Sequence, residues 1–146
     1  MRTAGGAVAL VGIPLAYVTY RRSVRTRRAE WLGSLHEKFF ETDRYSTVRR
    51  VLDYREEPVY SELGAAVASA LYHPLVDELW RYLNFFELLA GLRQLRQISD
   101  EEILRLLDYD LRLIKSREFI QRALEPEGFD GLAQLLTSLP LATTTP

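Results

Sequence analysis

Residues 75–97 read LVDELWRYLNFFELLAGLRQLRQ and form the longest, most apolar stretch of the chain after its first 28 residues. His73-Pro74 precedes this stretch, and proline is well suited to the first position of a helix. We expect one long helix here, at the centre of the folded part. No segment after residue 28 shows the sustained alternation of a half-buried strand. The sequence therefore predicts an all-α fold.

Shorter helices are predicted on both sides of this central helix. The clearest start is the pair Ser99 and Glu102, which has the spacing of a capping box. The helix that follows it could continue or kink at Ser116. We expect the helices to begin, in chain order, near Arg21, Asp43 (capped by Thr42), Ser61, Pro74, Ser99 and Asp130.

The composition restricts the chemistry and divides the charge. The 146 residues include no cysteine, which excludes disulfides, thiol nucleophiles and cysteine-ligated metals. The balance of 19 basic and 20 acidic side chains hides an asymmetry. Residues 1–28 carry six arginines and no acid, a net charge of +6, and the remainder carries −7.

The uncharged run Thr3–Tyr20 precedes five of these arginines. Eighteen residues of helix span about 27 Å, close to the roughly 30 Å of a bilayer core. A cleaved signal peptide would place its positive charge before the run. The sequence therefore predicts a single transmembrane helix that continues into a compact cytosolic bundle of about five helices, with a buried soluble helix as the other alternative. The positive-inside rule places the N-terminus outside the plasma (inner) membrane and the C-terminal domain in the cytoplasm.

This interpretation divides the chain into 1–28, a membrane anchor with a basic cytoplasmic flank, 29–139, a helical cytosolic domain, and 140–146, a disordered tail. The flank is expected to contact anionic lipid headgroups rather than nucleic acid. Its residues are Arg21, Arg22, Arg25, Arg27 and Arg28. Small residues on one face of the anchor would allow two copies to pack in the membrane, giving a homo-oligomer. They are Gly5, Ala9, Gly12 and Ala16.

Catalytic and metal-binding patterns are absent from the sequence. It contains no glycine-rich phosphate loop, no G-x-S-x-G and no H-E-x-x-H. His36 and His73 are far apart, and no E-x-x-H pair suggests a metal-binding bundle. We therefore expect no catalytic residue, metal or cofactor, and a protein that is not an enzyme.

Glu87 lies in an unusually apolar setting for a carboxylate. The residues one helical turn away are Leu83, Asn84, Ala90 and Gly91, so no charged helical neighbour can pair with it. A carboxylate in this position needs solvent, a proton or a partner from another helix. We expect a buried tie from Asn84 and Glu87 to an arginine of the second helix, with a ligand pocket as the alternative. The candidate residues are Trp80, Asn84, Glu87, Arg44, Arg49 and Arg50.

Three segments resemble a loose family of bacterial proteins of unknown function, which have an N-terminal membrane segment and a small all-helical domain. The segments are 29–40, which contains AEWL and LHEKFF, then YLNFFE at 82–87, and QIS at 97–99. The resemblance covers most of the chain and implies no activity.

Three functions remain open from the sequence. The first is a non-enzymatic, membrane-tethered interaction domain that binds a protein partner or itself. The second is a membrane effector of a stress or phage-defence system that oligomerises through its transmembrane helix. The third is a small-molecule-binding or hydrolytic domain with its site around Glu87.

Overall fold

The computed structural model describes residues 23–24, 26–40, 43–69 and 72–141, apart from the side chain of Arg44. The chain divides into two compact units, Met1–Glu41 and Thr42–Pro146. All regular secondary structure within the described ranges is helical. The prediction of an all-α fold is therefore confirmed.

The first unit contains helix α1, residues 26–40. Near its end the ring of Phe40 lies 4.3 Å from that of His36 and 4.8 Å from that of Phe39, measured between centroids. The residues of the predicted basic flank that belong to α1, Arg27 and Arg28, are exposed.

The second unit begins with a 3-10 turn, Asp43–Tyr45. Six α-helices follow it among the described residues. They are α2 (Ser46–Tyr54), α3 (Val59–Ser69), α4 (Pro74–Gln94), α5 (Asp100–Ser116), α6 (Glu118–Leu124) and α7 (Asp130–Ser138).

Local sequence signals account for several helix ends. Pro74 is the first residue of α4, and the side chain of His73 accepts a hydrogen bond from the amide of Leu75. The predicted capping box of Ser99 and Glu102 is confirmed, with both of its reciprocal bonds present. Helix α5 ends at Ser116, because the extended backbone of Arg117 separates it from α6.

Helix α4 is the element around which the second unit is built. It packs against α2, α3, α7 and the 3-10 turn, while α6 packs against α3, α5 and α7. The core is almost entirely aliphatic and aromatic. Its largest fully buried side chains in this unit are Leu52, Leu63, Leu79, Tyr82, Leu83, Phe86, Leu89, Ile103, Leu111, Ile114 and Ile120.

The predicted single transmembrane helix and plasma-membrane location require correction. No helix in the described part of the chain is both long enough and apolar enough to cross a bilayer. Helix α4 has the length, but its five charged residues, spread over 21 positions, would each be costly in hydrocarbon. The run Thr3–Tyr20 lies outside the described residues. So do Gly5, Ala9, Gly12, Ala16, Arg21, Arg22 and Arg25.

Candidate interaction surface on helix α4

Helix α4 supplies a cap to helix α2. Helix α2 follows Tyr45, whose side chain makes no capping bond. The Glu78 carboxylate accepts hydrogen bonds from the amides of Thr47 and Val48, both at 3.1 Å. These are two of the amides that a helix leaves unpaired at its start, where partial positive charge also favours an anion. Glu78 therefore replaces the missing local cap.

Glu87 does the same for helix α7 on the other side of α4. The residue before α7 is Phe129, which again provides no side-chain cap. The two Glu87 carboxylate oxygens accept from the amides of Gly131 at 3.0 Å and Leu132 at 2.7 Å. Nine residues separate Glu78 from Glu87, which is two and a half helical turns, so the two carboxylates point to opposite sides of α4.

The residues predicted to form a site around Glu87 do not assemble into one. Glu87 bonds to backbone amides rather than to an arginine, and Asn84 is exposed. The ring of Trp80 lies 5.8 Å from that of Phe129. The side chain of Arg44 lies outside the described part.

The two remaining candidate arginines of α2 have other acidic neighbours. Arg50 pairs with Glu56, with 3.1 Å between Nε and Oε1. Arg49 lies beside Asp110 of α5, with 3.6 Å between Nε and Oδ1. Glu87 and these arginines thus belong to separate parts of the molecule.

Asp110 is the centre of a buried polar cluster between α2, α4 and α5. It is only 3% exposed, and it accepts a hydrogen bond from the hydroxyl of Tyr82 at 3.2 Å. Burial raises the pKa of the Asp110 carboxyl, and the positive charge of Arg49 offsets part of that rise. Burial also raises the pKa of the Tyr82 phenol, and the neighbouring Asp110 raises it further. The cluster ties three helices together but is closed to a substrate.

Arg117 is a second buried polar group, 5% exposed, in the break between α5 and α6. Its Nε and Nη2 atoms donate to the backbone oxygen of Leu52, at 3.1 and 2.6 Å. This carbonyl is in the last turn of α2, where helical partners run out. The guanidinium carbon also lies 5.7 Å from the centre of the Tyr60 ring. Burial lowers the pKa of Arg117. Arg117 therefore caps the end of α2, as Glu78 caps its start.

Sequence reasoning missed Glu78, Asp110 and Arg117. Asp110 lies on the same predicted helix face as Leu107 and Ile114, and a charge on an apolar face was a usable signal. Arg117 extends that face by one further turn. For Glu78 the signal was indirect: Tyr45, which precedes α2, is an aromatic residue and makes no capping bond, so the cap has to come from another element.

The polar groups just described have structural partners, whereas the exposed surface of α4 carries apolar side chains. Four apolar residues follow the spacing i, i+3, i+7, i+10, which is the seam of a coiled coil. We call them the α4 seam: Phe85, Leu88, Leu92 and Leu95. Leu88 is 55% exposed and Leu95 is 70% exposed, while Phe85 and Leu92 are half-buried.

Gly91 lies beside the α4 seam and leaves it accessible. A Cβ atom built at Gly91 would meet no described atom within 4 Å. Glycine inside a helix costs roughly 1 kcal/mol relative to alanine. No contact within the described residues requires glycine at position 91. A partner helix that approaches closely at this position would require it.

The described part contains no group of three histidine or acidic side chains that could hold a metal ion. Comparison with known proteins adds no assignment to this surface. No protein-family model, curated protein or solved structure matches the chain, so the resemblance to a loose bacterial family stays a prediction.

Proposed function

We propose that this chain is a helical protein-interaction domain that binds its partner through the α4 seam. The observation that carries the proposal is the exposure of Leu88 on the longest described helix and of Leu95, the C-cap residue of that helix, seven residues further on. Two leucines in phase with Phe85 and Leu92 form the kind of surface that a partner helix covers.

The carboxylates that bond to neighbouring elements support interaction rather than catalysis. Glu78 and Glu87 are engaged by backbone amides, and Asp110 is engaged by Tyr82. A catalytic carboxylate must reach a substrate, whereas these groups hold helices together. The geometry therefore favours a binding surface over the hydrolytic or small-molecule site that the sequence left open around Glu87.

The proposal is tested by site-specific photo-crosslinking in native cells. A photoreactive phenylalanine analogue is placed at position 88 of the full chain, and in a matched control at Tyr72, which is 86% exposed and precedes α4. We expect a discrete adduct from position 88, lost when Leu95→Arg is added, and no such adduct from position 72.

Either a second copy or a different protein in that adduct would agree with an interaction domain. The proposal would be rejected if positions 88 and 72 gave the same pattern, or if position 88 gave no adduct.

A further inference from the structure

We draw no further inference here: the strongest candidate, the apolar surface patch that the α4 seam forms along the outward face of helix α4, carries nothing beyond the proposed function because nothing in the structure shows what covers it.

Discussion

The inward and outward faces of α4 use polar and apolar side chains in opposite ways. Where α4 meets the rest of the second unit, Glu78, Tyr82 and Glu87 each bond to a neighbouring element, so these polar groups hold the fold together. On the outward side, Leu88 and Leu95 are exposed on the monomer. A carboxylate in apolar sequence is often read as a sign of function. In this molecule the carboxylates stabilise the fold, and the leucines form the proposed binding surface.

The largest effect is expected from breaking the cap at the end of α2. Arg117→Ala removes two bonds to the Leu52 oxygen and leaves that buried carbonyl without a partner, at a cost of about 3 kcal/mol in the free energy of unfolding. Arg117→Lys should recover little, because an ammonium lacks the planar fork of donors. Urea denaturation followed by circular dichroism measures both. Arg122→Ala is the control, since its exposed pair with Glu118 should contribute less than about 1 kcal/mol. Equal losses from Arg117→Ala and Arg122→Ala would contradict the capping role.

Removing the cap of α7 should have the next largest effect. Glu87→Ala leaves the amides of Gly131 and Leu132 unpaired and should reduce the free energy of unfolding by about 2 kcal/mol. Glu87→Gln should lose less, since an amide oxygen still accepts one bond. Amide hydrogen exchange at the start of α7 should accelerate in the alanine variant. A variant with native stability and native exchange at Gly131 would show that the cap is unimportant.

Alanine at Gly131, which is packed against α4, and at Gly91, on the exposed face of α4, should change the free energy of unfolding in opposite directions. A Cβ at Gly131 would lie 2.5 Å from the Glu87 Oε1 atom and 3.1 Å from the Ala90 Cβ. Gly131→Ala should therefore destabilise the fold by about 1 to 2 kcal/mol through the lost cap. Gly91→Ala has open space and better helix propensity, so it should stabilise the monomer by about 0.5 to 1 kcal/mol.

The two glycine variants are compared by thermal unfolding at concentrations where the chain is monomeric. Gly91→Ala should at the same time weaken binding of a partner to the proposed surface, since the added methyl group lies beside the α4 seam. A destabilised Gly91→Ala monomer would mean that position 91 is packed within the chain, and the outward face would then not be free.

The smallest effect is expected from the titration of Asp110, because Arg49 offsets part of the cost of burial. A folded-state pKa raised above the unfolded value of roughly 3.9 means that folding takes up a proton. The resulting stabilisation is complete below the unfolded pKa and is lost as the pH rises through the folded pKa. The Tm of the native chain should therefore rise relative to that of Asp110→Asn as the pH is lowered from 7 towards 4.

Asp100 responds in the opposite direction, since its bond to Arg93 lowers the pKa of its carboxyl. Its contribution is present in both proteins and cancels in the difference between their Tm values. A difference that stays constant or shrinks on acidification would mean that Asp110 is stabilised as a carboxylate, with Arg49 dominating over burial.

Most of the local structure could be predicted from the sequence. The all-α class, the start of α4 at Pro74 and the capping box at Ser99 each depend on residues close together in the chain. The last helix begins at Asp130, as expected. The cap that was expected at Thr42 lies outside the described residues. The sequence did not predict that α2 and α7 are capped by Glu78 and Glu87 of α4.

The candidate site was harder to predict because exposure is a tertiary property. The sequence marked Glu87 as unusual but could not identify its partners, which lie 44 and 45 residues further along the chain. It also gave no reason to separate Leu88 from Leu89, although Leu88 is exposed and Leu89 is fully buried. The direction from which α2, α3 and α7 cover α4 decides that difference.

The sequence by itself determined where helices form, through apolar periodicity, proline placement and one capping box, and it excluded cysteine chemistry through composition. Only the tertiary structure decided which carboxylates are buried, what they bind and which leucines remain exposed. The two kinds of information act over different distances along the chain. Backbone propensity and capping act within about one helical turn, whereas burial and hydrogen-bond partners depend on residues that become neighbours only when the helices pack.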